Sequence, residues 1–255
     1  MTALVRAEWT KLFTTRVWIG LLAGACLLAG GSAALVTGLA GQPGGPPPVG
    51  TAQFEQLALA VASNAAVLSL ILGIIGMTQE YRHRTATPTF LTTPRRGRVV
   101  VAKLLAYGLA GVPFALLVTA VTATVVTVYA GARGAAPSLT GDNLQVLVFA
   151  GLAIVVYTVI GVGLGALMRN QVGAIVGALV YLYVVEPLLS SFQATVDVFR
   201  WLPGGALRAL TTTAGGPPGV TLDLLERWQG GLLLLGYGLV AAVLGTLLAV
   251  RRDVV

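Results

Sequence analysis

Few residues in this chain have a type and a setting suited to chemistry. Glu186 closes an apolar run and precedes Pro187. A carboxylate at membrane depth is expensive and marks a functional position by default. It reads equally as half of a structural ion pair, with Arg200 or Arg208 in reach, or as a gate element. Asn64, with Ser63 beside it and Ser69 a little further on, is polar inside another apolar run. It suits an interhelical hydrogen bond or a polar point on a transport route. His83, the single histidine, stands among arginines that disfavour its protonation. With no second His and no Cys near it, no metal site is expected. Cys26 is the single cysteine, so no intrachain disulfide framework exists, and it reads as a small apolar residue. The two lysines, Lys11 and Lys103, follow no glycine-rich turn, and the phosphate-loop pattern G-x-x-x-x-G-K-[ST] is missing. No catalytic residue is therefore assigned, and no cofactor is expected on this chain.

The elements that must position these residues follow from composition. Of 255 residues, 56% are hydrophobic and 10% charged, whereas soluble domains carry roughly 25% charge. Mean hydropathy is +0.87. A spanning helix needs about 20 mostly apolar residues. Six stretches qualify: 17–39, 57–77, 104–129, 146–168, 172–189 and 232–250. The first follows a basic segment, but its apolar run is longer than the roughly 7–15 residues of a signal peptide, so it reads as a retained span. The third contains Pro113, tolerated where neighbours satisfy the freed carbonyl. Residues 42–50 (QPGGPPPVG) form a tight loop, and residues 140–143 offer N-caps for the fourth span. Residues 190–231 carry Phe192, Phe199, Trp201 and Leu202, so they read as short interfacial or re-entrant helices broken at Pro203-Gly204-Gly205. Glycine pairs four apart (Gly20/Gly24, Gly161/Gly165, Gly173/Gly177) offer close helix approach.

Basic residues set the orientation. Twelve of the 16 Lys and Arg fall on one side by alternation, in residues 1–16, 79–103, 169 and 251–252. That side is expected to be cytoplasmic, with both termini there. The formal charge of +7 is thus a topology signal, and no nucleic-acid partner is expected. Residues 2–16 read as an amphipathic interfacial helix with Val5, Trp9, Leu12 and Phe13 on one sector. Trp9 would sit at the interface, with Lys11 opposite, toward lipid phosphate or water. It is either a simple anchor or an elbow that braces the membrane domain against a moving partner. Residues 79–103 form a basic loop divided by Pro88 and Pro94. Phe90 and Leu91 make a short apolar turn suited to a protein partner, and the whole also suits a basic loop held near anionic lipid. The fold class expected is an all-α integral membrane protein: six transmembrane helices, an N-terminal interfacial helix, and short outer-leaflet helices between spans five and six.

These residues resemble the permease subunit of ABC-2-type ABC transporters. The likeness is carried by Glu8-Trp9-Thr10-Lys11-Leu12-Phe13-Thr14-Thr15-Arg16, by Gln79-Glu80-Tyr81-Arg82-His83-Arg84-Thr85, and by Leu91-Thr92-Thr93-Pro94-Arg95-Arg96 with Lys103. Val185-Glu186-Pro187-Leu188 and Trp201-Leu202-Pro203-Gly204-Gly205-Ala206 resemble its actinobacterial branch. The resemblance implies a coupling helix within Glu80, Arg82, Arg84, Thr85, Thr87, Phe90, Leu91, Pro94, Arg95 and Arg96, seated in a separate ATPase subunit that holds ATP and Mg. It also implies a homodimer, or a pseudo-dimer with a related permease, working by alternating access as an exporter in the cell membrane. Two other classes are weighed beside it. One is a non-transporting assembly or sensor protein. The other is a membrane-embedded enzyme, for which the spans hold no His, no Lys and almost no acid.

Overall fold

A computed structural model of the protein describes residues 1–82, 96–168, 170–192, 194–211 and 223–251. Helix α1 (Thr2–Thr14) leads into α2 (Val17–Leu39). Helix α3 (Ala52–Ala60), a 3-10 turn (Val61–Ala65) and α4 (Ala66–Arg82) make one continuous rod. Helix α5 (Arg96–Ala132) runs through Pro113, and α6 (Gly141–Met168) returns beside it. Helix α7 (Gln171–Val180) passes through a π-turn (Tyr181–Val185) into α8 (Glu186–Ser191). The short helices α9 (Val196–Phe199) and α10 (Pro203–Thr211) precede α11 (Arg227–Arg251).

Six rods among the described residues are long and apolar enough to cross a membrane: Val17–Leu39, Ala52–Glu80, Gly97–Ala132, Gly141–Met168, Gln171–Ser191 and Arg227–Leu247. No strand occurs among the described residues. The protein is thus an all-helical membrane protein with six spanning helices. Several rods exceed the apolar stretches that announce them. Helix α4 continues to Arg82 and α5 begins at Arg96. The basic connection is therefore shorter than 79–103, and Lys103 lies two turns inside a helix. At ~1.5 Å per residue, the 36 residues of Gly97–Ala132 exceed what a hydrocarbon layer of about 30 Å requires.

The packing centre is the pair α4–α6. A Cβ added to Gly73 would overlap the Thr158 carbonyl, and one added to Gly161 would overlap that of Leu70. Each helix therefore rests backbone to backbone on the other, as small residues allow in a membrane. Ser69 Oγ also donates to the Ile154 carbonyl at 2.8 Å. Of the glycine pairs read from the sequence, only Gly161/Gly165 meets another backbone: Gly20 and Gly177 have open space around them, and Gly24 meets a leucine methyl. Helix α11 closes onto α6 in the same manner through Gly163 and Gly245. Helices α2 and α7 lie outside this centre and expose Leu27, Leu35, Val172 and Val176. At the end remote from α1, Arg133 donates to the Thr37 and Ala40 carbonyls, satisfying open acceptors at the end of α2. Asn143 does not cap α6. Its amide donates to Glu55 Oε2 at 2.5 Å and to the Ser138 carbonyl at 2.8 Å, which ties the start of α6 to α3.

Candidate functional site

Two clusters of polar residues gather along the rod made by α3, the 3-10 turn and α4, one at its Arg82 end and the other near its middle. The first is a quartet of charges. Glu8 sits on the buried face of α1 with Leu12, and Glu80 lies in the last turn of α4. Lys103 Nζ meets Glu8 and lies 3.2 Å from Glu80. Lys11 Nζ lies 2.7 Å from Glu8 and 2.9 Å from Glu80. The Lys103 side chain is fully buried, and those of Glu8 and Glu80 are only 5% and 6% exposed. Two acids and two bases balance, which is what lets four charges share a site with little water. Lys103 also donates to the Gly76 carbonyl at 3.1 Å. Gly76 has no Cβ because the Tyr107 ring occupies that place. Burial pulls the Lys11 ammonium toward its neutral form, but hydrogen bonds and attraction from Glu8 and Glu80 outweigh this and hold its pKa above the ordinary value. Lys11 thus faces two carboxylates rather than lipid phosphate, although its side chain is still 43% exposed.

Around the quartet, aromatic rings fasten α1 to α2. Trp9 packs on Phe13 with centroids 4.9 Å apart, and Phe13 meets the edge of Trp18 at 5.1 Å. Trp9 is half-buried and Phe13 exposed, so the aromatic part of the sector turns toward Trp18 of α2 while Glu8 and Leu12 take the buried positions. Arg82, at the end of α4, is exposed, with Nη1 at 3.4 Å from Gln171 Oε1. Of the remaining coupling-loop residues, Arg84, Thr85, Thr87, Phe90, Leu91, Pro94 and Arg95 lie outside the described residues, as does His83. Arg96 opens α5.

The second cluster surrounds a cavity of about 400 Å³ lined by Ser63, Asn64, Tyr157, Glu186, Arg208 and Thr211 together with apolar side chains. It brings together Asn64 and Glu186, which the sequence singled out separately. Along α4, Asn64 stands about 24 Å from Glu80 at ~1.5 Å per residue. Both walls carry irregular helix. The 3-10 turn Val61–Ala65 presents Asn64. Across from it, the π-turn Tyr181–Val185 precedes Glu186, whose N–H donates to the Tyr181 carbonyl five residues back. Pro187 accounts for the widened turn: its ring would crowd the carbonyl four residues earlier, and it has no N–H to offer.

Glu186 is buried, 5% exposed. Its Oε1 accepts from the Gly204 N–H at 2.8 Å, and Tyr181 lies nearby. A Cβ on Gly204 would overlap this carboxylate, and one on Gly205 would overlap the Phe199 carbonyl. The Pro203-Gly204-Gly205 run therefore begins helix α10 rather than breaking a helix. Proline suits the first helical position, and the two glycines admit the carboxylate and the preceding turn. The carboxylate also complements the positive end of α10. Arg200 does not serve Glu186; it pairs with Asp223 at 3.1 Å. Arg208 does share the cavity and lies within electrostatic reach of Glu186.

Sequence reasoning missed Glu8, Tyr157 and Gly204 as parts of these clusters. Glu8 and Lys11 are three apart, which places them on one helix face; that spacing was the available signal. Nothing local in the sequence marks Tyr157. Among known families, residues 4–185 match the model of an ABC-2 family transporter protein. No curated protein matches the chain.

Proposed function

The chain belongs to the ABC-2 family of transporter proteins, and on that premise we propose that it is the membrane-spanning permease subunit of an ATP-driven exporter. A separate ATPase subunit binds ATP and Mg and drives it. The working unit is a dimer of this chain, or of this chain with a related permease, in the plasma membrane with both termini cytoplasmic.

The observation that supports this reading most is the quartet. Residues 80–96, read as the ATPase contact from the resemblance and from the apolar Phe90-Leu91 turn, include the connection from α4 to α5. Glu80 and Lys103 stand near the bases of those two helices, and both are tied to Glu8 of α1 directly or through Lys11. A displacement of residues 83–95 is thereby passed to three helices instead of being lost in a loop. Farther along the rod, Glu186 and Asn64 serve as gate elements on the transport route. The 3-10 turn and the π-turn supply the departures from regular helix that such motion requires.

The test is reconstitution. The chain is co-expressed in turn with phosphate-loop ATPases from its own genome, and each pair is taken through purification together. The expected result is a stable complex whose ATP hydrolysis differs from that of the ATPase alone. If none of these ATPases co-purifies with the chain or changes its hydrolysis, the proposal falls.

A further inference from the structure

The cavity at Glu186 is chemically two-sided. Glu186 offers a buried carboxylate held in place by Gly204. Arg208 lines the same space, and among the described residues its guanidinium makes no ion pair or hydrogen bond; it rests over the Phe199 ring at 5.3 Å. Glu186 and Arg208 therefore line one cavity without forming an ion pair with each other. A third group is unanswered. The Tyr157 hydroxyl is buried without a hydrogen-bond partner, in a residue only 2% exposed. A buried unsatisfied hydroxyl costs about 1–3 kcal/mol.

A second cavity adjoins the first. It measures about 340 Å³, is lined by Leu70, Ile160, Leu164, Met168 and Ala178 among others, and shares Tyr157 and Leu182 with the first. One chamber is lined by Glu186 and Arg208, the next is almost wholly apolar, and Tyr157 and Leu182 form the partition they share.

We propose that these adjoining cavities bind a zwitterionic amphiphile: its cationic group at Glu186, its anionic group at Arg208 and its apolar body in the second chamber. A ligand with only one charge would leave either Glu186 or Arg208 facing an apolar body, at a desolvation cost. The inference names the cargo class for the Glu186–Asn64 route and so rests on that reading, but binding is measured separately from transport.

The experiment uses the full chain in nanodiscs and three probes of matched chain length: lysophosphatidylethanolamine (both charges), lysophosphatidylglycerol (anion only) and an alkylammonium (cation only). The expected result is saturable binding with about tenfold preference for the zwitterion, the factor that 1.4 kcal/mol represents. Glu186→Gln, whose amide oxygen can still accept from Gly204, should abolish the preference over the anion. Arg208→Gln should abolish the preference over the cation. Should Glu186→Gln fail to fold, Asn64→Trp, which leaves the Gly204 contact untouched, should block saturable binding instead. Equal affinity for the three probes, or a preference that survives both charge variants, overturns the site. If the zwitterion binds as expected while the reconstituted complex moves none of it, the site stands and the route reading falls.

Discussion

Glu8 and Lys103 are 95 residues apart in sequence and form an ion pair in which neither side chain is more than 5% exposed. Glu8 is the buried acid of a helix that precedes every spanning segment, and Lys103 belongs to the third spanning rod. The pair, with Lys11 and Glu80, is what docks α1 onto the membrane domain.

Lys103→Met should therefore cost about 3–5 kcal/mol, the usual penalty for stranding a buried charge. Thermal unfolding of the detergent-solubilised protein, followed by near-UV circular dichroism, would show it. Adding Glu8→Gln should recover much of the loss, because it removes a stranded charge. If the two changes are simply additive, the pair is not what holds α1.

Lys11 adds a pH dependence. Its pKa is raised in the folded protein above the ordinary 10.5, so its contribution is fully present below 10.5. It is lost as pH climbs through the higher folded value. The stability gap between wild type and Lys11→Met should be constant from pH 7 to 9 and shrink beyond pH 10.5. A gap that widens there contradicts the assignment.

Gly204→Ala should displace the Glu186 carboxylate, because its new methyl would occupy the same space. A loss of roughly 1–3 kcal/mol is expected for such overpacking. Gly236→Ala is the matched comparison, since its Cβ meets nothing within 4 Å; it should be neutral or mildly stabilising. Equal melting temperatures for the two variants would count against the Glu186–Gly204 contact.

Phe90→Asp combined with Leu91→Asp should uncouple ATP hydrolysis from transport in the reconstituted complex and leave the melting temperature of the isolated chain unchanged. Unaltered transport in that double variant removes residues 83–95 from the coupling role.

Topology can be read with single cysteines in a Cys26→Ser background. Thr2→Cys should react with an impermeant maleimide only in inside-out vesicles, and Gln42→Cys only in right-side-out cells. Reaction of both from the same side would contradict placing α1 and the loop after α2 on opposite faces.

The six spans were legible because hydrocarbon selects for apolar length, and apolar length is a local property of the chain. The ends of the rods were less so. Helix α5 extends from Lys103 back to Arg96 through charged residues that a hydropathy window rejects, and the reason is tertiary: α1 covers Lys103 and supplies Glu8. Asn64 and Glu186 stood out because each is polar in an apolar run, yet their shared cavity depends on the start of α10 meeting Glu186. Tyr157 carried no mark at all. It is an ordinary residue in an ordinary apolar helix, and only its unanswered hydroxyl distinguishes it. The Pro203-Gly204-Gly205 run misled, since glycines that seem to break a helix were making room for a carboxylate.

The quartet also imposes an order on biogenesis. Glu8 leaves the ribosome long before Lys103 is translated, and Glu80 appears in between. Until the third rod is inserted, α1 cannot adopt its docked position, because two acids would be buried with one lysine between them. Seating of the first helix is thus a record that the first half of the chain has been threaded correctly.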